Sequence, residues 1–275
     1  MLVIHTYYTA GMHELAKVFV ESFCFHHAND HTPLFIDAIG IDDKMKEDLY
    51  YQYPIIKVKK RPYNLETMSK RSGIPVKTLK KWREQVEHGY VTEQNRAWKL
   101  MIAGEDRVLK VYNMLREFPD EPDALIVHFD IDTLFRANIK DIVDEMKGYD
   151  VGLKLRPNIN PVKARITIDM MALHITPNTR HWLSDWIRTS CSMPPKQRPI
   201  GWGQTSCWIA YEAAVKDKRL EALTLPLKYG LPGRNKPNDV VWCGNVHKLT
   251  KDDCAKMFDA ELARAKIVEK ETNHD

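Results

Sequence analysis

The sequence has no run of about 18 apolar residues, so no segment suits a bilayer-crossing helix and no membrane partner is expected. It has no Cys-x-x-Cys pair. Its five cysteines (Cys24, Cys191, Cys207, Cys243 and Cys254) are odd in number and scattered. That spacing excludes a zinc ribbon, argues against a disulfide framework and predicts a reduced, cytoplasmic protein. The first residues, Met1 to Tyr8, lack the basic and apolar regions of a secretion signal and read instead as a strand. There is no internal repeat and no low-complexity tract. What remains is 275 residues of ordinary composition. That length buries a full core, as one α/β domain or one domain with an insert.

Charge is unevenly spread. Between Lys57 and Glu84 stand ten Lys or Arg against Glu66 and Glu84, a local charge of +8 in a chain whose net charge is +4. The remainder is therefore acidic, at −4. A short basic module in an acidic protein points to a polyanionic partner.

Apolar periodicity predicts strands over 2–7, 34–38 and 55–58, separated by helices over 11–26 and 42–51. This β-α-β-α-β alternation implies a parallel, doubly wound sheet. After the basic segment a long helix is expected over 93–118, then strands over 124–129, 151–155 and 166–174. Further helices are expected over 179–189, 205–216 and 251–271, with short strands over 223–226 and 239–243.

The unbroken run from Ala124 to Phe129 has the length and composition of a buried parallel strand, and it ends in Asp130-Ile-Asp132. Ligands of open α/β sheets bind beyond the carboxyl ends of such strands. If the strand continues, both carboxylates point to one face. Hard oxygen ligands there suit Mg²⁺ or Mn²⁺. Asp-x-Asp is also a common helix or turn cap; the strand in front favours the metal reading.

The segment from Glu66 to Glu84 resembles a DNA-binding helix-turn-helix. Ser69 is the small residue between the helices, Gly73 supplies the turn, and Met68, Ile74, Leu79 and Trp82 fill the apolar positions. Pro75 suits the start of the second helix. Ser72 departs from the pattern, where a larger apolar residue is commoner. The resemblance implies that the second helix displays Lys77, Thr78, Lys80, Lys81 and Arg83 to double-stranded DNA, with Lys70 and Arg71 beside them. A solvated amphipathic hairpin with a basic face is the alternative. The implied division is 1–60, an inserted module over 61–90, and 91–275.

Arg107 to Leu115, the strand that follows, and Asp130-Ile-Asp-Thr-Leu-Phe135 together resemble the core of GT-A glycosyltransferases, a Rossmann-like α/β fold with a mostly parallel sheet. The resemblance implies that Asp130 and Asp132 bind Mn²⁺ or Mg²⁺ against the diphosphate of a UDP-sugar. It implies that Tyr7 and Tyr8 flank the base, unless they belong to the core, and that Arg107 and Lys110 face the diphosphate. Gly201 to Trp208 resembles a family segment in which an acid precedes a glutamine. Here Gly203 replaces the acid and Gln204 remains as a catalytic candidate, with Trp202 and Trp208 as a sugar wall or as core. Val240 to Lys248 resembles the late loop, which makes His247 the candidate third metal ligand and Lys248, or Lys236, a phosphate contact. Trp242 stands where many relatives carry the histidine. Asp169 is the candidate base, with Glu212 as a weaker one.

A sugar-nucleotide site and a DNA module in one chain are similar to the DNA-modifying glycosyltransferases of T-even-type bacteriophages. That implies UDP-glucose as donor and 5-hydroxymethylcytosine, or a sugar already on it, as acceptor in the infected cell. Two other readings stay open: a DNA-binding protein with an inactive or nucleotide-sensing α/β domain, and a haloacid-dehalogenase-type phosphatase.

Overall fold

The computed structural model describes residues 1–50, 56–61, 65–72, 74–87, 107–108, 110–118, 121, 123–160, 162–193, 202–230, 236, 238–243, 256, 259–260 and 263. The chain opens with β1 (Leu2–Thr9), α1 (His13–His27), β2 (Leu34–Ile39), α2 (Asp43–Tyr50) and β3 (Ile56–Arg61), as the alternation predicts. The basic segment forms two helices, α3 (Leu65–Ser72) and α4 (Val76–Glu87). Next come α5, with residues 107–108 and 110–116 helical, β4 (Leu125–Asp130), β5 (Thr133–Phe135) and α6 (Ile142–Glu145). The chain continues through β6 (Val151–Leu155), β7 (Ile166–His174), α7 (Pro177–Ser192), α8 (Trp202–Lys216), β8 (Ala222–Thr224) and β9 (Val241–Cys243). The closing helix expected over 251–271 lies almost wholly outside the described residues.

Among the described residues seven strands form one sheet, in the order β3-β2-β1-β4-β7-β6-β8. It is mostly parallel; β7 runs antiparallel to both β4 and β6. A mostly parallel sheet is as expected, and the reversed direction of β7 has a consequence for the site. In an antiparallel neighbour it is the start of β7, not its end, that reaches the carboxyl edge of β4. Phe129 pairs with Met170, so Asp169 comes next in register to Asp130.

Alternation assigns the two sheet faces. Ile4, Tyr8, Leu125, Val127 and Phe129 pack against Ala16, Phe19, Val20 and Phe23 of α1. Val3, Ile126, Ile168, Met171 and Leu173 pack against Val111 and Leu115 of α5 and against Trp182, Trp186 and Cys207 of α7 and α8. Each fully buried large side chain here contributes roughly 1.5–3 kcal/mol relative to exposure. Thr176 caps α7, its hydroxyl accepting from the Thr179 amide at 3.1 Å, and Pro177 opens the helix where its missing N–H costs nothing.

The second sheet holds the last described strand against the site. β9 pairs antiparallel with β5, with Cys243 opposite Thr133. Gly230 lets this strand approach: its φ is 78°, and a Cβ there would lie 2.5 Å from the Val241 carbonyl oxygen. No helix among the described residues is long and apolar enough to cross a membrane.

Candidate active site

Alternation puts His5 and Tyr7 of β1, Asp37 of β2, and His128 and Asp130 of β4 on the sheet face that α5 covers. The strand does not continue through the Asp-x-Asp motif. β4 ends at Asp130, and Ile131 and Asp132 form a turn into β5. The turn nevertheless keeps the carboxylates together, because Ile131 points into the core, at 5% exposure, and anchors the bend.

Arg107, at the described start of α5, forms an ion pair through Nη2 with Asp130 Oδ1. Lys154 of β6 donates to Asp169 Oδ2 at 2.7 Å, and Cys243 of β9 donates to the same oxygen at 3.2 Å. Three carboxylates and two cations thus share one region at the sheet's carboxyl edge. Burial, then the charges of Asp130 and Asp169, push the Asp132 carboxyl up to about 8. Burial also raises Asp130, and Asp169 adds to this while Arg107 opposes it. Burial alone would raise Asp169 too, but the adjacent Lys154 ammonium outweighs it and holds that carboxyl below its ordinary value. Arg107 is held charged: burial disfavours its cation, and Asp130 more than compensates.

This donor set suits a hard divalent cation. Asp130 and Asp132 are oxygen ligands, and the cluster carries more negative than positive charge when ionised. Among the described residues no group of three or more His, Cys, Asp and Glu side chains is arranged to hold a metal. His247 and Lys248, the expected third ligand and phosphate contact, lie outside the described residues.

Behind Tyr7 lies a polar row that the sequence did not reveal. The Tyr7 ring stacks on His128 with centroids 5.8 Å apart. The Nδ1 atoms of His128 and His5 are 3.0 Å apart, and His5 Nε2 lies 3.7 Å from Asp37 Oδ2. Arg61 Nε donates to Asp37 Oδ1 at 2.8 Å. His128 is held well below its ordinary value, first by burial and then by His5 and Arg107. Histidines in apolar strands read as ordinary core residues; only their placement side by side on β1 and β4 links them.

Other expected site residues fall elsewhere. Tyr8 is a correction. Its ring is 1% exposed inside the core and its hydroxyl lies 3.1 Å from His13 Nδ1, because it occupies the opposite strand face from Tyr7. Lys110 is half-buried one turn beyond Arg107, and its charge is one of the groups that lower the Asp37 carboxyl. Gln204 is half-buried in the first turn of α8. Trp208 belongs to the core, with Arg165 over its ring at 5.6 Å, so the sugar-wall expectation fails there. The Trp202 side chain lies outside the described set. Trp242 packs with Leu15, Val18 and Leu134 on the face of β9 opposite Cys243. Lys236 and Glu212 are exposed.

On the helix pair, Lys70, Lys77, Lys80 and Lys81 are exposed, and Leu79 is fully buried. Thr78 and Arg83 are half-buried, against the expected full display; Arg83 lies one turn from Leu79 and shares its inward face. The Arg71 and Met68 side chains and Gly73 lie outside the described set.

No family model and no curated protein matches the sequence. Solved structures match in fold. The apo form of mouse xyloside xylosyltransferase 1 is similar with a TM-score of 0.53 at 12% identity, over 91% of this chain and 100% of that one. An active-site mutant of LgtC is similar with a TM-score of 0.51 at 11% identity, over 96% of each chain. The glycosyltransferase GlyE of Streptococcus pneumoniae TIGR4 gives 0.51 at 9% identity, over 88% of this chain and 55% of that one. The architecture is that of the GT-A glycosyltransferases.

Proposed function

We propose that this protein is a metal-assisted glycosyltransferase that moves a sugar, glucose foremost, from a UDP-sugar to a hydroxyl carried by double-stranded DNA, either on a modified base or on a sugar already attached to one. The observation that carries this reading is the carboxylate cluster of Asp130, Asp132 and Asp169 beside Arg107, at the ligand-binding edge of a GT-A sheet.

Asp130 and Asp132 would hold Mn²⁺ or Mg²⁺, with His247 as the candidate third ligand. When bound, the cation supplies charge stabilisation to the departing diphosphate. Arg107 is already in the site, and its guanidinium can shift from Asp130 to a phosphate oxygen. Lys248 is a second candidate for that contact. Tyr7, backed by His128, supports the base side of the site. Gln204 and Asp169 are the candidates for contact with the reacting sugar and acceptor. Lys70, Arg71, Lys77, Thr78, Lys80, Lys81 and Arg83 form the candidate DNA contact, the exposed lysines binding phosphate without sequence choice. A sugar on a cytosine 5-substituent projects into the major groove, where it is reachable without base flipping.

The test is incubation with UDP-glucose, Mn²⁺ and hydroxymethylated or pre-glucosylated DNA, followed by nucleoside mass analysis. A hexose added to either DNA is the expected result. Donor hydrolysis without transfer would keep the enzyme and remove the DNA acceptor; no turnover of any UDP-sugar would remove the enzyme.

A further inference from the structure

Lysine is almost never fully buried without a reason. Lys154 is 2% exposed in the middle of an otherwise apolar strand. The β6–β7 register slips between Leu153 and Lys154. Such an irregularity re-aims a side chain, and here it brings Lys154 onto Asp169. Asp169 is then held lopsidedly. Its Oδ2 receives the Lys154 ammonium at 2.7 Å and the Cys243 thiol at 3.2 Å, whereas its Oδ1 is buried with no hydrogen-bond partner among the described residues, the nearby Thr167 hydroxyl lowering the carboxyl without reaching hydrogen-bond geometry.

For folding alone this arrangement is poor. Two donors crowd one oxygen while the other loses its hydration, and a buried unsatisfied acceptor costs roughly 1–3 kcal/mol. The arrangement makes sense if the missing donor arrives with the substrate. A phosphate brings no donor and would be repelled; a carbohydrate hydroxyl brings one and no charge. We propose that Lys154 is a positioning residue for glycosyl transfer: it clamps Asp169 through Oδ2 and leaves Oδ1 to receive a hydroxyl of the substrate carbohydrate. This rests on the glycosyltransferase reading and gives it a specific sugar contact. A carboxylate tied to an ammonium is a weak base, so Asp169 orients the hydroxyl and does not take its proton.

The pair can be removed without leaving a lone buried charge. Lys154→Met with Asp169→Leu replaces both partners by apolar groups, which commonly leaves a fold as stable or more so. The expected double variant unfolds at or above the wild-type temperature and binds Mn²⁺ and UDP as the wild type does. Its kcat falls roughly 100-fold, the scale of a misplaced reacting group. Lys154→Met alone, which strands the carboxylate, is expected to lose both stability and kcat, and Lys154→Arg to recover part of each. Parallel loss of UDP-glucose hydrolysis assigns the hydroxyl to the donor sugar. Hydrolysis retained while transfer is lost assigns it to the acceptor.

A double variant with wild-type kcat overturns the inference, as does one that loses activity only in step with UDP binding or stability. Donor and acceptor analogues each lacking one hydroxyl check it on the unmodified protein. One of them must show the same roughly 100-fold loss, and uniform turnover of all would overturn the clamp while leaving the transferase intact. A wild type that turns over no sugar nucleotide removes the transferase reading and the clamp together.

Discussion

The strand-tip site and the α3–α4 pair carry charge in opposite ways. At the strand tips Arg107, Lys154 and Asp169 are at most 9% exposed, and each is tied to a named partner. On the helix pair Lys70, Lys77, Lys80 and Lys81 stand in solvent, and none of the four forms an ion pair among the described residues. Buried charge acts at full strength in fixed geometry, as bond breaking needs. Exposed lysines are screened by salt and supply affinity without geometry, which suits a tether to a long polyanion. Under the proposed function the difference separates chemistry from capture, and substitutions in one region should leave the other unmoved.

The largest effect is expected at the acidic end. Asp132→Asn should reduce sugar transfer roughly a thousand-fold, because the divalent ion's contribution is several kcal/mol. DNA affinity, read by fluorescence anisotropy, should not change. Equal loss of both would erase the contrast.

Next comes the basic end. Lys77, Lys80 and Lys81 changed together to glutamate should weaken DNA binding by about 100-fold or more at roughly 0.1 M salt and flatten its salt dependence. UDP-glucose hydrolysis without DNA should be retained, measured as released UDP.

How much of this contrast was legible beforehand differs between the regions. The helix pair was readable because local rules suffice: Pro75 opens α4, Leu79 is its buried anchor, and the lysines need only solvent. The strands were readable from apolar runs; β6 and β7 fall where periodicity places them. Strand direction was not, since composition does not say which way β7 runs, and that direction is what brings Asp169 to Asp130. Tyr7 and Tyr8 look alike in sequence, and a one-residue step sends one ring to the site face and the other into the core. Lys154 and Cys243 escaped notice because their partners are 15 and 74 residues from them in the chain and meet only through the fold. A lysine inside the run Val-Gly-Leu-Lys-Leu was the available signal.

A smaller effect should appear as pH dependence of the metal-free protein. The Asp132 carboxyl sits at about 8 in the fold, above its ordinary value of 3.8. Between those values the folded state holds a proton that the unfolded state has released, so the Asp132 contribution to stability should fall as pH rises from about 4 to 8, against the rise below about 6.5 that buried neutral histidines such as His128 give. Asp132→Asn should flatten that slope in urea unfolding, by a total on the order of 1–3 kcal/mol, while the lysine substitutions leave it unchanged. A difference between wild type and Asp132→Asn of the opposite sign would contradict the crowding of carboxylates.

The smallest effect serves as a control outside both regions. Thr176→Ala removes the α7 cap and should cost about 1 kcal/mol in thermal unfolding without altering transfer or DNA binding.

The most direct measurement is a manganese titration followed by the EPR signal of the free ion, with and without UDP. The wild-type protein should take up Mn²⁺ more tightly when UDP is present. The Asp130→Asn/Asp132→Asn double variant, kept below its own unfolding temperature because Arg107 has lost its partner, should take up none beyond what UDP binds alone. Equal UDP-dependent uptake in the variant, or none in the wild type, would contradict the assignment of this carboxylate pair to a cation facing a nucleoside diphosphate.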